Sequence, residues 1–160
     1  EKISQLKTKT TLILGLGNEI LSDDGIGPRL ANDLTDIPEK IEADYVTAGP
    51  GGLEIMELIS GYKKVIIIDS IHTSSGKPGD VYHLKPSDFK ETSNLTGIHD
   101  VNFLTSLDLG KILGYTMPDE IHIIAVEIVD DMAFGERFTP SLEGKYPEIL
   151  KKVSKLVNEI

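Results

Sequence analysis

Apolar positions along the chain follow two alternating rhythms. Thr11-Leu12-Ile13-Leu14 is a short continuous run and predicts a strand, whereas Ile26, Leu30 and Leu34 recur at helical spacing and predict a helix from about Gly25 to Asp36. Pro28 falls near that helix start, where a missing amide hydrogen costs little, and Ile37-Pro38 ends it. Ile41 to Thr47 predicts a second strand, Ala48-Gly49-Pro50-Gly51-Gly52 a loop, and Leu53, Ile55, Met56, Leu58 and Ile59 a helix stopped by Gly61. Lys64-Val65-Ile66-Ile67-Ile68-Asp69-Ser70 is the strongest strand, apolar along its length as a central parallel strand buried on both faces must be. Ser75 to Asp80 turns into a short strand, Val81 to Leu84, which reads as an edge hairpin. After a polar stretch a helix opens at His99, with Val101, Leu104, Leu107 and Ile112 on its apolar face, and Glu120 to Val126 is the last strand. Thr139-Pro140 is expected to cap a terminal helix striped by Tyr146, Ile149, Leu150, Val153, Leu156 and Val157. Strands alternating with helices imply an α/β fold: a three-layer α/β/α sandwich around a twisted, mostly parallel sheet of about five strands, in one domain over residues 1–160.

The first strand runs into Gly15-Leu16-Gly17-Asn18-Glu19-Ile20-Leu21-Ser22-Asp23-Asp24-Gly25-Ile26-Gly27, a glycine-bearing loop before a helix start. A dinucleotide fingerprint would need a third glycine where Ile20 stands and bare amides facing a pyrophosphate, which Asp23 and Asp24 would repel. The second strand also ends in Tyr45-Val46-Thr47-Ala48, without the acid that holds a ribose. An acidic loop at this place suits a cation or a proton-transfer role. The competing reading is structural, because aspartate is a favoured helix N-cap.

Composition narrows the classes further. A net charge of -10 argues against non-specific nucleic-acid binding, and the cluster Lys151-Lys152 with Lys155 reads as a solvated helix face. No run approaches membrane-spanning length and no signal pattern opens the chain, so a soluble cytoplasmic protein without membrane association is expected. The chain has no cysteine, which removes disulfides, a thiol nucleophile and thiolate-type zinc sites. A bound metal would take carboxylate, imidazole or water, a set compatible with Zn, Ni, Mn or Mg, and soft ligands would have to come from a partner.

Parallel sheets hold ligands beyond the carboxyl ends of their strands. Asp69 ends the strongest strand and so falls on the same rim as Asp23 and Asp24, with an Asx-type turn as its structural alternative. His99, at a helix start, is expected neutral because the dipole disfavours imidazolium there; neutral imidazole ligates divalent metals, while a helix-start histidine bonded to a loop is the plainer alternative. Glu127, Asp130 and Asp131 are reserve candidates for the rim. His72, His83 and His122 read as surface or structural histidines and Met56 as core filler.

With these residues in place, the sequence resembles the hydrogenase maturation endopeptidases, proteases that trim the C-terminus of the large subunit of nickel-iron hydrogenases. Gly15-x-Gly17-Asn18-x-x-x-x-Asp23-Asp24-Gly25-x-Gly27 is similar to the family's first signature. Thr47 to Leu53 followed by Glu54 and Leu58, then Ile66-Ile67-Ile68-Asp69, then the His99 helix start, resemble the second, third and fourth in order and spacing across nearly the whole chain. The resemblance implies that Asp24, Asp69 and His99 contact metal, with Asp24 and Asp69 the candidate catalytic carboxylates and Asp23 a loop or helix-cap residue. It implies nickel as the metal, carried by the precursor between its own thiolates, although other divalent ions could occupy the site. The implied partner is the precursor of the hydrogenase large subunit, cut near its C-terminus by metal-assisted or carboxylate-driven hydrolysis; a monomer that meets it transiently is the separate expectation for the chain's own state. The rival expectations are a non-catalytic, nickel-dependent checkpoint protein using the same ligands, and a structural domain whose rim acids are caps.

Overall fold

A computed structural model of the protein describes residues 10–49, 52–88, 107–129 and 134–160. In chain order its elements are β1 (Thr11–Leu16), a 3-10 turn (Ser22–Gly25), α1 (Ile26–Leu34), β2 (Asp44–Ala48), α2 (Gly52–Ile59), β3 (Lys64–Ile71), β4 (Val81–Leu84), β5 (Glu120–Glu127) and α3 (Pro140–Glu159), with a further helical segment at 107–112. The five strands form one sheet in the order β2-β1-β3-β5-β4; the first four run parallel, and β4 closes the far edge antiparallel to β5.

Period-two alternation along the central strands divides the interior into two layers. Ile66 and Ile68 of β3, with Ile13, Ile124 and Val126, face Ile26, Leu30 and Leu34 of α1 and Leu142, Ile149 and Val153 of α3. Val65 and Ile67, with Leu12, Leu14 and Ile123, face Ile55 and Ile59 of α2 and Leu107. Each fully buried Ile or Leu stabilises the fold by about 1.5–3 kcal/mol relative to its exposed state, so the sheet is held from both sides. The sandwich expected from the pattern is the one observed.

The glycines of the first loop let α1 sit against the sheet. A Cβ on Gly27 would overlap the carbonyl oxygens of Leu16 and Ile68, and a Cβ on Gly15 would lie 2.5 Å from the Gly27 carbonyl oxygen. Strand and helix backbones therefore touch directly, which draws the turn containing Asp23 and Asp24 down onto the end of β3.

Five details differ from the pattern reading. β1 continues through Gly15 and Leu16, where Gly15 pairs with both Thr47 and Ile68, and β2 begins at Asp44 rather than Ile41. The backbone carbonyl of Ile41 instead accepts the Tyr45 hydroxyl at 3.0 Å. β4 is an edge strand but no hairpin with β3, because β5 lies between them and offers β4 its free edge. Ile112 is 80 % exposed although Leu107 is buried, so the apolar face of the 107–112 segment does not extend to its end. Thr139 stands at the N-cap position of α3 without capping it, since its hydroxyl is used elsewhere.

Candidate active site on the sheet rim

From β1 the chain crosses to β2 on one side, then returns to β3 on the other. That reversal opens a crevice between the carboxyl ends of β1 and β3, the place where open α/β sheets hold ligands. The turn after β1 supplies Asp24, and β3 supplies Asp69 and Ser70.

Ser70 joins the two acids. Its hydroxyl donates to Asp24 Oδ1 at 2.6 Å, while its backbone amide donates to Asp69 Oδ1 at 2.8 Å. Strand alternation makes this possible: Asp69 shares the parity of Val65 and Ile67, and Ser70 that of Ile66 and Ile68, on the α1 side where the 3-10 turn lies. The second Asp24 oxygen accepts the Asn18 amide at 2.8 Å. Both carboxylates are buried, Asp24 at 2 % and Asp69 at 7 % exposure. Neither reading of Asp24 as a helix cap holds, because neither the 3-10 turn nor α1 has a side-chain cap bond.

Asp23, next in sequence to Asp24, does different work. Its carboxylate accepts the Thr139 amide at 2.7 Å, the Thr139 hydroxyl at 2.9 Å and the Val129 amide at 3.0 Å. Of the two expectations, loop or cap residue, the structure gives the first: Asp23 lies in the turn of the first loop and caps neither that turn nor α1, but is fully buried and straps the loop to the chain leading into α3. Ser22 reinforces the strap at a φ of 44°, a costly value for a residue with a side chain. Its amide donates to the Gly135 carbonyl at 2.8 Å and its hydroxyl to the Arg137 carbonyl at 3.1 Å.

Glu127, a reserve candidate from the sequence, is likewise a structural clamp. It is buried, accepts the Thr73 amide at 2.7 Å, the Tyr82 hydroxyl at 3.1 Å and the Thr73 hydroxyl, and thereby holds the segment after β3 against β5. Burial, with the bond to Glu127, raises the Tyr82 phenol above its ordinary pKa and keeps it a proton donor. His99, Asp130 and Asp131 lie outside the described residues. Among the described residues no group of three or more His, Cys, Asp and Glu is arranged to hold a metal, and Asp24 and Asp69 supply two hard oxygen donors from separate elements. Sequence reasoning missed Ser70 and Asn18; the direct adjacency of Ser70 to Asp69 in a strand was the available sign.

Beside the acids runs a groove of about 470 Å³, lined by Asn18, Glu19, Ile20, Thr47, Gly49 and Glu54. Ile20 exposes apolar surface in it, and the Ile20 carbonyl accepts the Gly135 amide at 2.8 Å, which brings the first loop and the 134–139 segment together. Buried carboxylates beside an open, partly apolar groove can act on a polypeptide laid across the rim.

The hydrogenase maturation protease (HycI) family pattern matches residues 28–157. The chain belongs to the hydrogenase maturation protease family. As a member of this peptidase family, it is 24% identical over 152 residues to the hydrogenase 2 maturation protease of Escherichia coli, covering 92% of this chain and 90% of the relative. The solved structure of the hydrogenase maturating endopeptidase HybD from Escherichia coli superposes with a TM-score of 0.74 at 23% identity, covering 94% of this chain and 93% of that one. HybD from Thermococcus kodakarensis, a [NiFe] hydrogenase maturation protease, gives 0.69 at 22% identity, covering 93% and 99%. These likenesses establish the same α/β fold for this maturation protease. Among its described residues no helix is long and apolar enough to cross a membrane.

Proposed function

We propose that this protease removes the C-terminal extension of a nickel-loaded hydrogenase large-subunit precursor and that Asp24, Asp69 and His99 take hold of the nickel the precursor carries. The observation that supports it most directly is the Asp24–Ser70–Asp69 junction, which draws two buried carboxylates from distant segments to one crevice in a member of this peptidase family. The nickel is cargo of the substrate, bound by the substrate's thiolates, and the cysteine-free chain adds only oxygen and nitrogen donors to it. Docking then depends on metal loading, so an empty precursor is not cut.

In the proposed reaction a water molecule adds to the scissile carbonyl as a rim carboxylate takes its proton. Collapse of the tetrahedral centre breaks the C–N bond, and the same proton passes to the departing amine. The groove through Asn18, Thr47 and Glu54 receives the polypeptide beside the acids. Because the substrate presents reduced thiolates, we place the reaction in the cytoplasm, with the protease acting as a monomer on a transient partner.

The test is to incubate the protein with nickel-loaded and nickel-free precursor and read the precursor mass. A single C-terminal cut with the nickel-loaded form alone, lost in Asp24→Ala, Asp69→Ala and His99→Ala, supports the reading. Metal-dependent binding with no mass loss would make the chain a checkpoint protein, and full cleavage by all three variants would remove the acids and His99 from the site.

A further inference from the structure

Away from the rim, on the sheet edge formed by β4 and β5, two histidines meet directly. His83 pairs in register with Ile124, so His122, two residues earlier on β5, is its diagonal neighbour on one face of the antiparallel pair. His83 Nε2 stands 2.9 Å from His122 Nδ1, and the ring centroids are 5.1 Å apart. The other nitrogen of His122, Nε2, lies 3.1 Å from the Glu120 carboxylate. None of these residues takes part in the proposed proteolysis.

We propose that His83 and His122 form a separate site for a divalent transition ion of the zinc or nickel class, with Glu120 as its orienting carboxylate. A carboxylate accepts a hydrogen and gives none, so Glu120 fixes the proton of His122 on Nε2 and leaves the Nδ1 lone pair aimed at His83. His83 Nε2 donates its hydrogen to that lone pair in the metal-free form; in the alternative tautomer its hydrogen is on Nδ1 and Nε2 becomes a second ligand. Two ligands at metal–nitrogen distances of about 2.0–2.1 Å stand about 2.9–3.4 Å apart, so the observed separation needs little adjustment. A carboxylate on the non-ligating nitrogen is the usual outer partner of a metal-bound imidazole. Beside His122 and Glu120 lies a cavity of about 500 Å³, lined also by Lys85, Pro118 and Asp119, which gives water access to this edge of the sheet. The site has two protein ligands only, in keeping with the lack of any larger group of ligand residues among those described. Lys85 acts electrostatically on both His83 and Glu120, which opposes a cation and keeps the affinity modest.

Equilibrium dialysis of the untagged full chain against zinc or nickel, at mildly alkaline pH, tests the site. The Asp24→Asn/Asp69→Asn double variant, which disarms the rim, is expected to keep one bound ion, and His83→Asn/His122→Asn to lose it. Glu120→Gln should weaken binding by about 10–100-fold, and Lys85→Met should tighten it. The ring-nitrogen NMR shifts of His83 and His122 should move on zinc addition in the native protein, a readout independent of proteolysis and of the variants' folding. Unmoved ring nitrogens at saturating zinc, or unchanged stoichiometry in the histidine double variant, would overturn the site.

Discussion

Asp23 and Asp24 are neighbours in sequence, both are buried, and they belong to different regions of the molecule. Asp23 turns toward the segment entering α3 and accepts two backbone amides and a hydroxyl from residues 106 and 116 positions away. Asp24 turns toward the crevice, where its described donors are the Ser70 hydroxyl and the amide of nearby Asn18. The first carboxylate closes the structure, while the second is carried to the rim by that closure. Burial alone therefore does not separate the two carboxylates; the partners their oxygens hold do. Glu127 falls with Asp23 on this criterion, and Asp69 with Asp24.

The contrast is sharpest if function and stability separate under mutation. Asp24→Asn and Asp69→Asn should each slow precursor processing by about 10²–10⁴-fold while changing unfolding free energy by less than about 2 kcal/mol, read by precursor mass and by urea denaturation. Near-native processing in either variant would erase the distinction from the active side. Asp23→Ala should act in the opposite sense, since three buried donors lose their acceptor at about 1–3 kcal/mol each. A loss of about 3 kcal/mol or more in the denaturation midpoint analysis is expected, and a fully stable variant would show that the strap is dispensable.

Ser70→Ala probes the junction between the acids. Its effect is positional, a drop of about 10–100-fold in processing with little change in thermal midpoint, as for other residues that orient a ligand. The smallest effect is expected from Tyr82→Phe, which removes one of the donors to Glu127 and should cost about 1 kcal/mol in denaturation with processing intact. Impaired processing at unchanged stability would move Glu127 from the clamp into the active region.

What could be read ahead of the structure was whatever is encoded locally. The apolar run Val65–Ile68 specifies a strand buried on both faces, and the spacing of Ile26, Leu30 and Leu34 specifies a helix lying on one of them. The placement of Asp24 and Asp69 on one rim followed from strand direction, because parallel strands end on the same side. Contacts between remote segments were not readable. Nothing around Asp23 announces Val129 or Thr139, and a short run such as Val81–Leu84 does not reveal that its partner strand begins at Glu120. Ser70 is an intermediate case: its parity was implicit in the strand, yet the side on which the first loop would descend depended on Gly15 and Gly27 touching across the layers. His99 lies outside the described residues, so its part in the site stands as a proposal.

The strap made by Asp23 also orders events during synthesis. Both rim acids leave the ribosome before the amide and hydroxyl of Thr139, from which Asp23 accepts and which emerge with the start of α3. A nascent chain halted before that point carries Asp24 on an unfastened loop. The first loop is thus fastened only after Val129 and Thr139 have been made, so the start of α3 sets the moment at which Asp23 finds its partners.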